Sequence, residues 1–240
     1  MDPRRLVVVD GYSLLYRAFF ATRYLSTSDG RPTNALFGFV QMLFPLIERE
    51  QPVAIVVAMD EGKTFRHEEF PEYKGTRKET ADELRVQLVA ARELLTALGI
   101  PFIQAPGYEA DDVVGTLTLQ AEKNHYHTTI VTGDLDSLQL VDECVRVLTP
   151  GKGMTETVTY DPDAVVARYG FGPEFVPDFK ALKGDTSDNI PGVPGIGDKG
   201  AAELINGFGT IETMIERMAE VPEKFRKKMA GLESQMRLSK

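Results

Sequence analysis

The sequence predicts an α/β protein built on a mostly parallel sheet, followed by a smaller helical module. Short runs rich in β-branched residues recur at Leu6 to Val9, Ala54 to Met59, Pro101 to Ile103, Thr128 to Val131 and Val145 to Leu148. Longer stretches with apolar residues at helical spacing lie between them. Asn34 to Glu50 is one, and Ala81 to Leu98 is another, with Leu84, Leu88, Ala91, Leu95 and Leu98 on one face. Beyond Pro162 the strand runs stop, and Pro173, Pro177, Pro191, Pro194 and Pro222 punctuate short helices. The expected division is a core over residues 1–170 and a helical module over 171–240.

Composition narrows the class. With 240 residues, 42% hydrophobic and 26% charged, the chain is long enough for one sizeable core and falls in the range of soluble globular proteins. No run approaches the roughly 18 to 20 apolar residues of a membrane span, and MDPRRLVVVDG reaches an aspartate before a signal-peptide core could form. The expectation is a cytoplasmic protein. Cys144 is the single cysteine, which excludes an internal disulfide framework and a Cys-rich metal site. Its apolar neighbours Val145, Val147 and Leu148 make it an expected small core residue.

Where the acids sit carries the chemistry. Asp10 closes LVVVD, Asp60 closes AIVVAMD and Asp134 follows TIVTG, so three strands deliver carboxylates to the edge where open parallel sheets bind ligands. Glu109 with Asp111, and Asp134 with Asp136, have the i, i+2 spacing that puts two side chains on one side of an extended segment. Asp112 stays close to Glu109 if a helix begins there. One acid per helix would suit an N-cap, but GYEADD and TGDLD carry acids in twos and threes. Crowded carboxylates repel and take up protons unless cations compensate them. Oxygen donors without Cys or a His cluster point to Mg²⁺ or Mn²⁺, and so many acids to two or more ions. A pair roughly 3.5 to 4 Å apart can activate water at one ion and stabilise the leaving oxygen at the other. His125 and His127 read as a solvated turn before a strand.

One segment fits neither strand nor helix. Glu61 to Thr80 is polar, holds Lys63, Arg66, His67, Lys74, Arg77 and Lys78, and exceeds an ordinary βα turn of roughly 2 to 6 residues. Downstream, Gly192, Gly195 and Gly197 in GVPGIGDKGAAELI permit tight turns that bring backbone N–H groups near a phosphate at a helix N-terminus, with Lys199 beside them.

Five ordered motifs, VVVDGYSLLYRAFF, VVAMDEGKTFRHEEFPEYKGTR, PGYEADDVVGTL, TGDLDSLQL and GDTSDNIPGVPGIGDKGA, resemble the 5′ nuclease (flap endonuclease) superfamily. Within it they are most similar to the 5′→3′ exonuclease domain that precedes bacterial DNA polymerases. The resemblance implies a PIN-like nuclease core and a metal site of Asp10, Asp60, Glu109, Asp111, Asp112, Asp134, Asp136, Asp185 and Asp188. The net charge is −9; with those nine acids set aside, the other 27 equal the 27 Lys and Arg. It further implies that Arg66, Tyr73, Lys74 and Arg77 contact single-stranded DNA from an arch over residues 61–80. Lys74 and Arg77 would take part in catalysis with Asp10 and Asp134, and Tyr73 would stack on a base. A helix-three-turn-helix over residues 185–206 would grip duplex backbone, and relatives hold a K⁺ ion there through carbonyl oxygens. The implied reaction is phosphodiester hydrolysis at 5′ flaps, nicks and frayed ends, leaving a 5′-phosphate and a 3′-hydroxyl, in Okazaki-fragment processing and repair. The implied protein is a nucleoid-associated monomer.

Leu135 stands where the family has lysine, MDEG where it has FDA, and QMRLSK where relatives continue. The chain reads equally as an excised piece of a polymerase or a stand-alone nuclease. A rival is a haloacid-dehalogenase-type phosphatase, from GDLDS and GDTSDN, which leaves Asp10, Asp60 and GYEADD without a role. A non-enzymatic rival is a DNA-junction-binding module whose acids only cap helices.

Overall fold

The computed structural model describes residues 4–151 and 156–240, which form two units. The first runs to Phe65 and resumes from Glu79 to Asp161; the second comprises Arg66–Lys78 and Pro162–Lys240.

In the first unit six strands form one sheet in the order β3-β2-β1-β4-β5-β6, with β1 Arg4–Asp10, β2 Ala54–Ala58, β3 Phe102–Ile103, β4 Tyr126–Val131, β5 Val145–Pro150 and β6 Thr157–Tyr160. The first five are parallel. The antiparallel β6 was not anticipated, because TVTY is short and only partly buried against β5. Successive strands run outward from β1 to β3 and then, in the other direction, from β4 to β5, so the chain reverses between β1 and β4. That reversal opens a crevice at the carboxyl ends of these two strands, where ligands bind in open parallel sheets.

Side-chain alternation sets the core. Val7 and Val9 pack with Leu14, Leu15 and Ala18 of α1 (Gly11–Ala21), Phe39 and Leu43 of α2 (Asn34–Glu50), and Leu84, Leu88, Ala91 and Leu95 of α4 (Asp82–Ala97). Val8 faces the other way and is equally buried, and α5 (Ala110–Lys123) packs across β1, β2 and β4. The predicted apolar face of α4 holds except at Leu98, which follows the helix as its cap and is 36% exposed. Gly11 is required by close approach, since a Cβ there would lie 2.3 Å from Met59 Sδ and 2.7 Å from a Val57 methyl carbon. The glycine lets α1 start directly against β2.

Two smaller expectations need correcting. Cys144 is half-buried rather than in the core: it lies in the turn before β5, where Asp142 Oδ1 accepts from its backbone N–H at 2.7 Å. His127 lies within β4, which begins two residues earlier than its apolar run, while His125 is the exposed turn residue, with φ 61°.

Between β2 and α4 the polar segment contains a short helix, α3 (Phe65–Glu69), and a run of turns. Apart from its isolated bridge Asp185↔Ile190, the rest of the second unit is built on helices: α6 Pro162–Tyr169, α7 Val176–Lys183, α8 Asp198–Phe208, α9 Ile211–Glu216, α10 Glu223–Met229 and α11 Glu233–Ser239. Among the described residues no helix is long and apolar enough to cross a membrane.

Candidate metal centre and nucleic-acid interface

Seven of the nine predicted acids belong to the sheet unit and two to the helical unit. In the sheet unit Asp10 ends β1 and caps α1: its Oδ1 accepts from the Ser13 N–H at 3.0 Å and its Oδ2 from the Thr132 hydroxyl at 2.8 Å. Thr132 Oγ1 in turn accepts from the Asp134 N–H at 3.0 Å, and Asp134 Oδ1 accepts from the Asp136 N–H at 2.9 Å. This chain of bonds ties the end of β1 to the turn after β4, across the crevice. Asp60, just past β2, accepts from the Ala110 N–H at 2.7 Å at the start of α5, where Asp112 Oδ2 accepts from the Glu109 N–H at 2.9 Å. Asp111 lies in the same first turn.

The capping role weighed from the sequence is therefore real, and it coexists with crowding. Asp10 is 6% exposed, and its carboxyl is raised from 3.8 to about 6. Burial is the largest cause. The Ser13 and Thr132 hydrogen bonds oppose it, while the charges of Asp60 and Asp134 add to it. Glu109 is also buried. Among the described residues no three His, Cys, Asp or Glu side chains stand at the spacing of a metal cage. Like charges repel at short range, and Asp10, Asp60, Asp112 and Asp134 are each held on a backbone or hydroxyl donor.

The two acids of the helical unit are in the opposite situation. Asp185 bonds Lys180 Nζ and the Ser187 hydroxyl, and accepts from the Ser187 N–H at 2.8 Å. Burial alone would raise its carboxyl, but these donors hold it down at about 2. Asp188 accepts from the Tyr73 hydroxyl at 3.1 Å and from the Arg77 guanidinium, and Lys74 Nζ lies 3.8 Å away. Residues 66–78 thus belong to this unit through ion pairs and hydrogen bonds. Tyr73, expected to stack on a base, is only 6% exposed. Its ring packs edge-on against His67, and its hydroxyl is committed to Asp188, so little of the ring is left for a base to cover. Arg66 is half-buried on α3.

The glycine-rich turn precedes α8 as expected, but its glycines differ. Gly192 is set by packing: a Cβ would lie 2.4 Å from Gly184 N and 2.3 Å from Lys183 C, where two backbone stretches cross. Gly195 (φ 81°) offers its carbonyl to Lys228 Nζ at 2.7 Å. Gly197 caps α8 with open space in front of it, and Lys199 is exposed at the second position of the helix. Asp198, at the first helical position, pairs with Lys183 at 2.6 Å.

Sequence reasoning missed Ser13, Thr132, Lys180, Ser187 and Asn189, which hold the acids or the basic segment in place. The hydroxyl in TGD and the serine in GDTSDN were visible signals, since Ser and Thr readily bond nearby carboxylates and backbone. Lys180 and Asn189 gave none.

A sheet that gathers acids at its crevice, in a chain ending in a helical unit with a glycine-rich turn, has the layout of a known nuclease family. The chain belongs to the 5′-3′ exonuclease family: residues 5–170 match its N-terminal resolvase-like domain and residues 171–240 its C-terminal SAM fold. Its relatives are DNA polymerases I. That of Bacillus caldotenax is 46% identical over 219 residues, covering 91% of this chain and 25% of the relative. The chain therefore spans about a quarter of the length of such relatives. The fold is shared with the bacteriophage T5 5′-exonuclease in its structure with bound zinc, at TM-score 0.81 and 24% identity, covering 98% of this chain and 88% of that one. It is shared equally with a pseudo-enzyme–product complex of a T5 flap endonuclease with DNA and metal ions, at TM-score 0.82 and 24% identity over 98% of this chain and 87% of that one. The resemblance read from the five motifs, and the α/β fold with its helical C-terminal module, are both borne out.

Proposed function

We propose that this chain is a structure-specific 5′ nuclease that hydrolyses DNA at 5′ flaps, nicks and frayed ends, leaving a 5′-phosphate and a 3′-hydroxyl. One observation carries the reading: Asp10, at the topological switch point, is buried with its carboxyl raised to about 6, partly by Asp60 and Asp134 beside it. A fold that keeps mutually repelling carboxylates at its ligand-binding edge gains from a cation there. The donors are all oxygen, which fits a hard ion, Mg²⁺ or Mn²⁺, better than zinc. Metal ions in the T5 structures, zinc in one of them, support a metal site in a protein of this fold.

Asp10, Asp60, Glu109, Asp111, Asp112, Asp134 and Asp136 would hold the ions, with Asp185 and Asp188 contributing from the helical unit. Bound there, the ions would supply charge stabilisation and an activated water. The chain's own residues do the rest. Ser13 and Thr132 orient the Asp10 carboxylate. Lys74 and Arg77 place positive charge for a phosphodiester, with Lys74 acting most as charge builds in the transition state. The open N-terminus of α8 at Gly197, with Lys199, binds duplex phosphate without reading bases. Backbone carbonyls of that turn would hold a K⁺ ion, whose charge would add to that of Lys199 toward phosphate. In a polymerase-linked protein this activity would serve Okazaki-fragment processing and repair, in the cytoplasm and at the nucleoid, with the chain acting as a monomer.

The test is cleavage of a labelled 5′ flap with and without Mg²⁺. Endonucleolytic cutting that requires the metal is the expected result. Binding without cutting would favour the junction-binding alternative, and release of phosphate from small monoesters the phosphatase.

A further inference from the structure

Lys74 has an unusual backbone for a long side chain: its φ is +56°, in the left-handed region that disfavours residues with a Cβ. Opposite it, in the loop Asp185–Ile190, Asn189 is also left-handed, with φ +58°. Two bonds join the segments. The Lys74 N–H donates to the Asp188 carbonyl at 2.9 Å, and Asn189 Nδ2 donates to the Glu72 carbonyl at 2.8 Å. Each bond starts at a left-handed residue and ends on the other segment. The loop itself is closed by paired bonds between Asp185 and Ile190, at 2.9 and 2.8 Å, and Arg77 Nε adds a bond to the Ser187 carbonyl at 3.2 Å.

Backbone strain of this kind persists only where the surroundings over-determine it, and it concentrates at functional positions. The strained residue here is also the cation whose placement matters most in the proposed reaction. Asparagine tolerates the left-handed conformation better than most residues, and its amide supplies the donor that reaches Glu72.

We infer that Asn189 is a positioning residue: through Glu72, and with the Asp188 carbonyl, it fixes the left-handed turn that aims the Lys74 ammonium. It touches neither DNA nor metal in this role. The aiming function rests on the nuclease reading above; the clasp does not.

The experiment is site-resolved amide hydrogen exchange on the whole chain beside single-turnover flap cleavage at saturating enzyme in Mg²⁺, for wild type, Asn189→Asp and Asn189→Gly. Asn189→Asp keeps the size and the tolerance for positive φ but loses the donor and sets an oxygen against Glu72 O. Exchange at the Lys74 amide should rise about tenfold, as expected for one lost hydrogen bond, with no comparable rise in α8. The cleavage rate should fall about tenfold while duplex binding in Ca²⁺ is unchanged. Asn189→Gly accepts the turn without strain, so it should fold even if Asn189→Asp does not, and it should show the same local rise. Unchanged exchange at Lys74, or a rise shared equally by α8 amides, would overturn the clasp. A local rise in exchange with an unchanged cleavage rate would overturn the aiming role. If wild type does not cut at all, the nuclease reading fails while the exchange result still judges the clasp.

Discussion

The acids of the sheet unit and those of the helical unit have the same chemistry and opposite environments. Asp10 sits buried beside Asp60 and Asp134, with its carboxyl raised to about 6, whereas Asp185 rests on Lys180 and Ser187 and is held down at about 2. Asp188 is likewise engaged by Tyr73, Lys74 and Arg77. The helical unit therefore supplies its own compensating charges. In the sheet unit the charges of Asp60 and Asp134 instead add to the rise at Asp10, the arrangement expected of a surface that recruits cations. Motif matching alone would place all nine acids in one category.

The largest effect should come from the sheet unit. Asp134→Asn removes a charge that acts on the buried Asp10, and flap cleavage in Mg²⁺ should fall by at least about 10² to 10³, the loss typical of a key electrostatic group. Flap binding in Ca²⁺ should be nearly unchanged. A variant that cuts at the wild-type rate would remove Asp134 from the site.

Lys74→Ala should follow, with a loss of about 10² in single-turnover rate at saturating enzyme. Within the helical unit Lys74 lies 3.8 Å from Asp188, and its loss should leave Mg²⁺ affinity little changed. An affinity for DNA that falls in proportion to the rate would make it a steering residue.

Stability sharpens the contrast through its sign. A carboxyl whose folded pKa is raised contributes stability that is fully present below its unfolded value of 3.8 and is lost as pH rises through about 6. Without metal, wild type should therefore lose up to about 3 kcal/mol between pH 4 and pH 7 from Asp10 alone. Asp10→Asn should escape that loss, less roughly 1 kcal/mol for a disturbed hydrogen bond. Urea unfolding in chelator across this range checks it, and parallel pH profiles would contradict it.

Lys180→Met should show the reverse at smaller size. The depressed Asp185 carboxyl contributes stability above its unfolded 3.8 that disappears as pH falls toward about 2. The variant should be about 1 kcal/mol less stable at pH 7, a figure kept small because the pair is partly exposed. The gap should close between pH 4 and pH 2 in the same unfolding assay.

The strand runs and the strand-end acids were legible because burial on both faces writes continuous β-branched sequence, and carboxylates that follow several such runs come to one edge of a parallel sheet. Asn34–Glu50 appears as a helix with the bounds its periodicity gave. What stayed hidden depends on long-range pairing. TVTY is too short to declare an antiparallel edge strand, and the short helix Phe65–Glu69 has no amphipathic pattern to announce it. Tyr73 looked like a stacking aromatic because sequence shows a ring but not its burial. Lys180 and Asn189 act on partners brought near by the fold, and nothing local marks them.

The central claim is that the sheet unit's crevice binds divalent cations through a set of carboxylates that includes Asp10, whose proton affinity the fold has raised. Calorimetric titration of the intact chain with Mg²⁺, in buffers of differing ionisation enthalpy, measures it directly. Binding must displace the proton that Asp10 carries near pH 6. The account predicts substantial proton release at pH 6, almost none at pH 8, and loss of the pH 6 release in Asp10→Asn. Magnesium binding with no proton release at pH 6, or release that survives in Asp10→Asn, would contradict it.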